Sequence, residues 1–486
     1  MSISAALSSA LSGIGTVSKT TEIVSSNIAN AQNPSYGRRA VEISSRTAFG
    51  NGGGVQIDSI SRVVSNRAIA DTRLAQARLA SDQTYSAFYA ELGQKIGLPG
   101  EADALTTRLG NVQANLIAAT AEPSNGILLN RVAESLGALA NKLNQVSATV
   151  QSQRSEADAD IGRQVDTLND RLTRVADLNT KIITQLAHNG DASALMDQRQ
   201  KLIDEISGIV PIREVTREHG RISLFTEHGA TLLDGKDPVN LGFAPAGTFV
   251  PEMQVGTPPV SFLMLDGELM SDRQFSMFSG GSLSAAVDVR DNFGPKVQAE
   301  LDALAADLYT IFADLTLDDT IDAGDHGLFT DALGNYNPEN ELGFSGRITL
   351  AALIDPTKGG ESWRIRDGLN SVEPGSVGDT SLLMNLAGLF DKVHAPASEV
   401  LGVRNASFIT FLSNFSSSIG TSVVNSESAS VASHAYHQEM QANAQSYGVD
   451  TDIELQNLMQ LEVAYAANAR VIQAAMGMLD TILEIR

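Results

Sequence analysis

Cysteine is absent from the 486-residue chain, tryptophan occurs once, and Lys plus Arg number 34 against 57 Asp plus Glu. The missing thiol removes disulfides, thiolate catalysis and cysteine-based zinc sites together. The shortage of basic residues leaves a net charge of −23. That charge repels phosphate backbones and anionic lipid, so neither nucleic acid nor a membrane surface is an expected partner. No apolar run approaches the roughly 18 residues that a membrane-spanning helix needs. The N-terminus, MSISAALSSALSGIGTVSK, lacks a basic region and serines interrupt its apolar residues, so no cleaved secretory signal is expected. With 43% apolar and 19% charged residues the chain can bury substantial cores, and its length allows about three domains.

What is present is long-range helical periodicity. Ile3, Leu7, Ala10, Ile14, Val17, Thr21, Val24 and Ile28 recur at alternating spacings of four and three, a heptad seam suited to lengthwise packing against another helix. Side-chain charge in this segment is confined to Lys19 and Glu22, whereas an exposed soluble helix normally carries a charged face. The C-terminus mirrors it. Leu458, Leu461, Tyr465, Asn468, Ile472, Ala475, Leu479 and Ile482 keep the same alternation, and Met459, Ala469, Met476 and Leu483 form a second stripe beside it. Two stripes on one helix call for more than one packing partner. The plain alternative is that both helices belong to an ordinary bundle core.

A third seam runs through Ile161, Val165, Leu168, Leu172, Val175, Asn179, Ile182 and Leu186, with His188-Asn189-Gly190 as its stop. Asn179 either sets register on this seam or marks a solvated helix edge. A shorter helix is expected over 192–207 with Asp191 as N-cap. The period then changes. Residues 211–235 read as short strands punctuated by His219-Gly220 and His228-Gly229, and VSFLML followed by Asp266-Gly267 reads as a hairpin arm. Helical period returns at Val297, Leu301, Leu304, Leu308, Ile311 and Leu315, and again from Phe408.

The expected fold is α+β: an elongated multidomain protein with a terminal helical coiled coil, a helical bundle and inserted β-rich domains. The expected borders are 1–36 and 445–486 for the paired terminal helices, and 37–208, 280–317 and 380–444 for a mainly helical bundle. Residues 209–279 would form a β-rich domain, and 318–379 a small β or loop insert.

Catalytic arrangements are scarce. There is no Gly-x-Ser-x-Gly elbow and no His-Glu-x-x-His helix. The cluster Gly50-Asn51-Gly52-Gly53-Gly54 lacks the third glycine of a dinucleotide fingerprint and reads as a tight loop, and Gly235-Lys236-Asp237 lacks the hydroxyl residue of a phosphate loop. His434 and His437 are spaced to share a metal, yet no third ligand is placed beside them. Asp318, Asp319, Asp322, Asp325 and Asp331, threaded with Gly324 and Gly327, are the sharpest calcium candidate, but their spacing departs from the standard calcium loop. No metal, cofactor or catalytic residue is therefore assigned, and the chain is not expected to be an enzyme.

The ends carry a specific likeness. SNIANAQNPSYGRR, Ser26 to Arg39, resembles the N-terminal signature of the rod, hook and hook-associated axial proteins of bacterial flagella. The segment Gly448 to Arg486, with Ala-Tyr-Ala-Ala-Asn at 464–468, resembles their C-terminal signature. LMDQRQKLIDEISGIVPIREVTREHGRISLF, Leu195 to Phe225, and GGSLSAAVDVRD, Gly280 to Asp291, are similar to blocks of the hook-associated protein 1 family, the first junction proteins between hook and filament. The chain departs from the family in having Ser35 after Pro34, with the glycine later at Gly37, and Leu461-Glu462-Val463 where a Gln-rich run is usual.

The resemblance implies a non-enzymatic structural part of the flagellum, exported by the flagellar type III route, transiently cytoplasmic and finally extracellular. It implies self-assembly into a ring, contacts with hook protein and the second hook–filament junction protein, and a cytoplasmic export chaperone at the C-terminal region. The terminal helices would then be an axial polymerisation domain. The residues expected at the assembly interface are Ile3, Leu7, Ile14, Val17, Val24, Asn27, Ile28, Asn30, Pro34 and Tyr36, together with Leu458, Leu461, Tyr465, Asn468, Ile472, Leu479 and Ile482. The alternatives are a hook or distal rod protein of the same axial family, which the 195–225 block argues against, and an adhesin or enzyme acting through the middle insert.

Overall fold

The computed structural model describes residues 3–48, 51–98, 100–188, 190–322 and 324–484. Gly50 of the glycine cluster and Asn189 of the helix stop lie outside them.

Helix α1 (Ile3–Ala29) forms from a segment rich in alanine, serine and threonine. Its hydroxyls bond back to the preceding turn, Thr16 to Ser12 O at 3.0 Å and Thr20 to Thr16 O at 2.9 Å, so few polar groups are left over for neighbours. A hairpin follows, β1 (Arg38–Ala48) pairing antiparallel with β2 (Asn51–Val63) and bulging after Glu42 and after Ser45. These residues were expected in the helical bundle. The alternating β-branched Val41, Ile43, Val55 and Ile57 favour a pleated strand instead. β2 lies against α1: Val55 N donates to Ser12 Oγ at 3.1 Å, and Gly54, at φ +104°, leaves room for that serine.

The body is built on α2 (Asn66–Ile96), α3 (Leu105–Ala121), α4 (Gly126–Ala187) and α5 (Ser193–Ser207). Side-chain caps start two of them: Ser65 accepts from Ala68 N at 3.3 Å, and Asn125 from Ile127 N at 3.1 Å. α5 begins one residue later than expected, so its N-cap is Ala192 and not Asp191; Asp191, just before the cap, accepts from Ser193 N at 2.8 Å.

Strands β3 (Ile212–Thr216), β4 (Ile222–Thr226), β5 (Thr231–Asp234) and β6 (Asp237–Pro238) form an antiparallel sheet in chain order. β7 (Leu241–Gly242), β8 (Met264–Leu265) and β9 (Glu268–Leu269) form a second sheet. Between β8 and β9, Asp266 and Gly267 sit at φ 51° and 89°, the left-handed pair that a two-residue hairpin turn requires.

The helices then resume with α6 (Asp272–Ser276), α7 (Ser282–Asp288), a π-helical turn over Val289–Phe293, and α8 (Gly294–Phe312). β10 (Phe329–Asp331) pairs with β11 (Ile348–Leu350), followed by α9 (Arg364–Asp367) and α10 (Ser381–Leu389). The chain ends with α11 (Phe408–Ser446) and α12 (Thr451–Glu484).

Helix α4 belongs to two cores. Its first half, with Leu136, Leu143 and Val150, packs with α3, α8 and α10. Its second half, the Ile161–Ile182 seam, packs on the β3–β5 sheet and α7. Asn179 is not a solvated edge. It is buried against the sheet, donating to Ile222 O (3.0 Å) and Gly235 O (3.2 Å) and accepting from Arg199 Nη1 (2.8 Å). A charged layer separates the cores. Fully buried Arg290 pairs with Asp158 at 2.7 Å, and Arg154 donates to Arg290 O (2.9 Å) and Met253 O (2.6 Å) while lying over the Phe249 ring.

The 318–379 segment is not an independent insert. Phe329, Phe344, Ile348, Leu350 and Ile354 complete the first core beside α4 and α8. Their apolar side chains are spaced between Gly- and Asp-rich turns and have no face of their own to bury.

Candidate assembly interface

Helices α1 and α12 run antiparallel, with Gly13 beside Asn468 and Asn27 beside Glu454. The absence of a side chain at position 13 is what admits the Asn468 amide: a Cβ there would lie 2.8 Å from its Oδ1. α12 rests chiefly on α1, and α11 rests along α2, where Thr72 Oγ1 donates to Met440 O at 3.0 Å.

The structure divides the expected interface residues into three groups. Val24 and Asn27 are buried within the chain. Ile3, Leu7, Ile14, Val17, Ile28, Asn30, Tyr36, Leu458, Leu461, Asn468 and Ile472 are half-buried along the α1–α12 contact and its approach. Pro34, Tyr465, Leu479 and Ile482 remain exposed. Around them lie further exposed apolar side chains: Val471 and Met478 on one flank of the α1 contact, Met476 and Leu483 on the other, and Met459 and Val463 nearer the start of the helix. Along most of its length, α12 thus presents apolar surface to solvent on both sides of its partner.

At the base of the helix pair the signature motif turns inward. Asn27 Oδ1 accepts from Tyr36 OH (2.9 Å) and Arg39 N (3.0 Å), and its Nδ2 donates to Arg39 O (2.9 Å) and Glu454 Oε1 (3.2 Å). Arg38 Nε donates to the same carboxylate oxygen at 2.7 Å. Asp197 of α5 accepts from Gly37 N (3.0 Å) and Arg62 Nε (2.7 Å), and Arg62 also donates to Gln200. A side chain at Gly37 would collide with Arg62, which accounts for the glycine two places after Ser35.

Arg38, Glu454 and Asp197 were not among the expected site residues. All three lie inside the quoted motif blocks, but their meeting depends on contacts spanning 416 and 160 residues.

A cleft of about 600 Å³ opens beside this joint, bounded by residues 30–36, α2, α5 and the turn from α11 to α12. Side-chain amides recur in its lining, among them Gln76, Gln200, Gln441 and Gln445. Arg73 at its edge is held by Asp204 (2.6 Å) and Glu214 (2.8 Å). Burial pushes the Asp204 carboxyl above the usual carboxylate range despite the pull of Arg73. His437 also lines the cleft, and burial together with His434 lowers its pKa.

In the acidic segment, Asp318 accepts from Thr320 N (2.9 Å) and Leu369 N (2.8 Å), and Asp331 accepts from Arg347 Nε (3.2 Å). These carboxylates cap turns. Among the described residues no three His, Asp or Glu side chains converge on a metal position, and no helix is long and apolar enough to cross a membrane.

Two family models match the chain: the flagellar hook-associated protein FlgK helical domain over residues 97–320, and the flagellar basal body rod FlgEFG protein C-terminal region over residues 440–485. Flagellar hook-associated protein 1 of Bacillus subtilis is 24% identical, the alignment covering 94% of this chain and 93% of that protein. The Escherichia coli protein of the same name is 20% identical over 50% of this chain and 46% of its own length. The solved flagellar hook junction protein FlgK from Burkholderia pseudomallei aligns with a TM-score of 0.44 at 20% identity, over 54% of this chain and 46% of that one. The helical-domain match falls on α3 to α8 and the rod-protein match on the end of α11, the turn after it and α12, and the B. subtilis alignment spans nearly both whole chains. By these matches the chain is similar to the flagellar hook-associated protein 1 family over most of its length, and its C-terminal region to the axial proteins of the bacterial flagellum.

Proposed function

We propose that this chain is a non-enzymatic structural component of the flagellum that joins hook to filament by self-assembly through its terminal helices. The observation that carries this reading is the apolar surface left open on both flanks of α12, in a helix whose chief partner is α1. Each subunit brings several half-exposed Leu, Ile, Val and Met side chains, and full burial of one contributes roughly 1.5–3 kcal/mol. Contacts with neighbouring copies on either side would supply that burial. The small residues of α1, such as Ala5, Ser8 and Gly15, would permit close approach.

On this reading the copies form a ring between hook protein and the second hook–filament junction protein. The seam residues Leu7, Val17, Leu461, Ile472, Leu479 and Ile482 are the inner contacts. An export chaperone covers the C-terminal helix before passage through the flagellar type III route. The acidic body remains outward and keeps the monomer soluble.

Electron microscopy of a strain lacking the gene tests the role. Intact hooks without filaments are expected; missing hooks would assign the chain to the hook or distal rod instead.

A further inference from the structure

Apolar packing between two helices is not directional, and a seam of small and aliphatic residues tolerates sliding by a turn. A buried polar network has a single best arrangement and therefore fixes register and angle. The base of the α1–α12 pair holds such a network, and its central member is Glu454.

The Glu454 side chain lies in the first turn of α12, close to the helix N-terminus, which favours a negative charge there. It is 1% exposed. Oε1 receives both Arg38 and Asn27, while Oε2 is buried with no partner. A carboxylate in such a place is costly unless paired, so docking of α12 depends on Arg38 reaching it.

From Glu454 the bonds continue without a break. They pass through Asn27 of α1 to Tyr36 and the Arg39 backbone, and then through the Arg39 guanidinium, which lies 5.0 Å over the Tyr36 ring, to Asp197 Oδ2 at 3.4 Å. Asp197 is on α5, within the body, and is also tied to Gly37 and to Arg62 of β2. The path therefore links the terminal pair, the hairpin and the body, and each step uses a group with a defined direction.

We infer that Glu454 is a positioning residue, holding the terminal helix pair at one angle to the body through Arg38 and Asn27. This inference rests on the assembly role proposed above only for its consequence: subunits whose helices leave the body at scattered angles cannot pack into one ring.

The absence of cysteine allows the angle to be read directly. Spin labels on Gln473→Cys in α12 and Glu134→Cys in α4, in the full chain, report the distance between helix pair and body. A single narrow distance is expected when the joint is intact. Glu454→Leu leaves Arg38 without its acceptor and lowers the ratio of docked to undocked helix pair by about a hundredfold, so the distribution broadens. Arg38→Met, which approaches the same bond from the hairpin, is expected to broaden it equally, and the double variant no further.

The melting of the body, which a merely structural role would lower, is expected to stay unchanged in the Arg38 variant. Complementation of the deletion strain by either variant is expected to yield few filaments. A narrow, unshifted distance in both variants overturns the inference. So does a broadened distance in cells that grow filaments at wild-type numbers. Failure of the junction role itself shows up separately, as missing hooks in the deletion strain while the distance measurement still responds.

Discussion

The open apolar surface of α12 can be perturbed without touching the fold. Val471 and Met478 lie on one flank of the α1 contact and are 45% and 56% exposed. Full burial of such side chains contributes roughly 1.5–3 kcal/mol, so about half of that, near 1 kcal/mol each, is still to be gained when a neighbour covers them. Replacing both with aspartate removes about 2 kcal/mol per subunit contact and adds the cost of bringing two carboxylates toward an apolar surface. The subunit association constant then falls by at least about thirtyfold.

In the free chain the same residues face water, and surface changes of this kind stay within about 0.5 kcal/mol. The double variant is therefore expected to keep the wild-type circular dichroism and melting temperature while producing few or no filaments in a complemented deletion strain. Gln473→Asp is the control. It lies roughly opposite Val471 at about 100° per residue and is expected to assemble normally. Wild-type numbers of filaments from the double variant would refute the assembly surface. A large fall in its melting temperature would show instead that this flank is part of the monomer's core.

Two further outcomes test the body. Asn179→Leu removes the amide that donates to one buried and one partly buried carbonyl and accepts one bond of the Arg199 guanidinium, and a loss of about 3 kcal/mol in chemical denaturation is expected; a loss below about 1 kcal/mol would contradict a junction between α4 and the sheet. Lys142 and Arg108 hold the Asp103 carboxyl down at about 2, below its ordinary value near 3.9. Because the folded value is the lower one, the stabilisation is complete above about pH 4 and disappears as the pH falls toward about 2. The stability difference between wild type and Asp103→Asn is expected to shrink over that window, and a difference independent of pH would argue that the pair contributes nothing.

The terminal helices and the Ile161–Ile182 seam were legible because each keeps one apolar face over many turns, and such a face survives any choice of partner. The β8–β9 turn was legible because Asp266-Gly267 suits the left-handed backbone of a tight hairpin. The β1–β2 hairpin was not. Its alternation is diluted by Ser44, Ser45 and Arg46 and broken by two bulges, so no face stays apolar for long. The insert was misread as separate because Phe329, Phe344 and Ile348 are scattered among turn residues, and only the packed structure shows that α4 and α8 receive them. The joint was hidden for a different reason. Asn27, Arg38, Asp197 and Glu454 each read locally as ordinary polar residues, and what distinguishes them is burial created by chain segments far apart in sequence.

The 62-residue span of α4 makes it roughly 90 Å long at 1.5 Å per residue. It passes from one core into the other with neither proline nor loop, and the buried arginine layer braces it where the two cores meet. A bend there would have to open main-chain hydrogen bonds and strand Arg154 and Arg290 away from their carbonyl and carboxylate acceptors. The helix therefore acts as a beam: a twist or push applied at one core reaches the other with little lost to flexing, a mechanical property suited to a part that turns with a shaft.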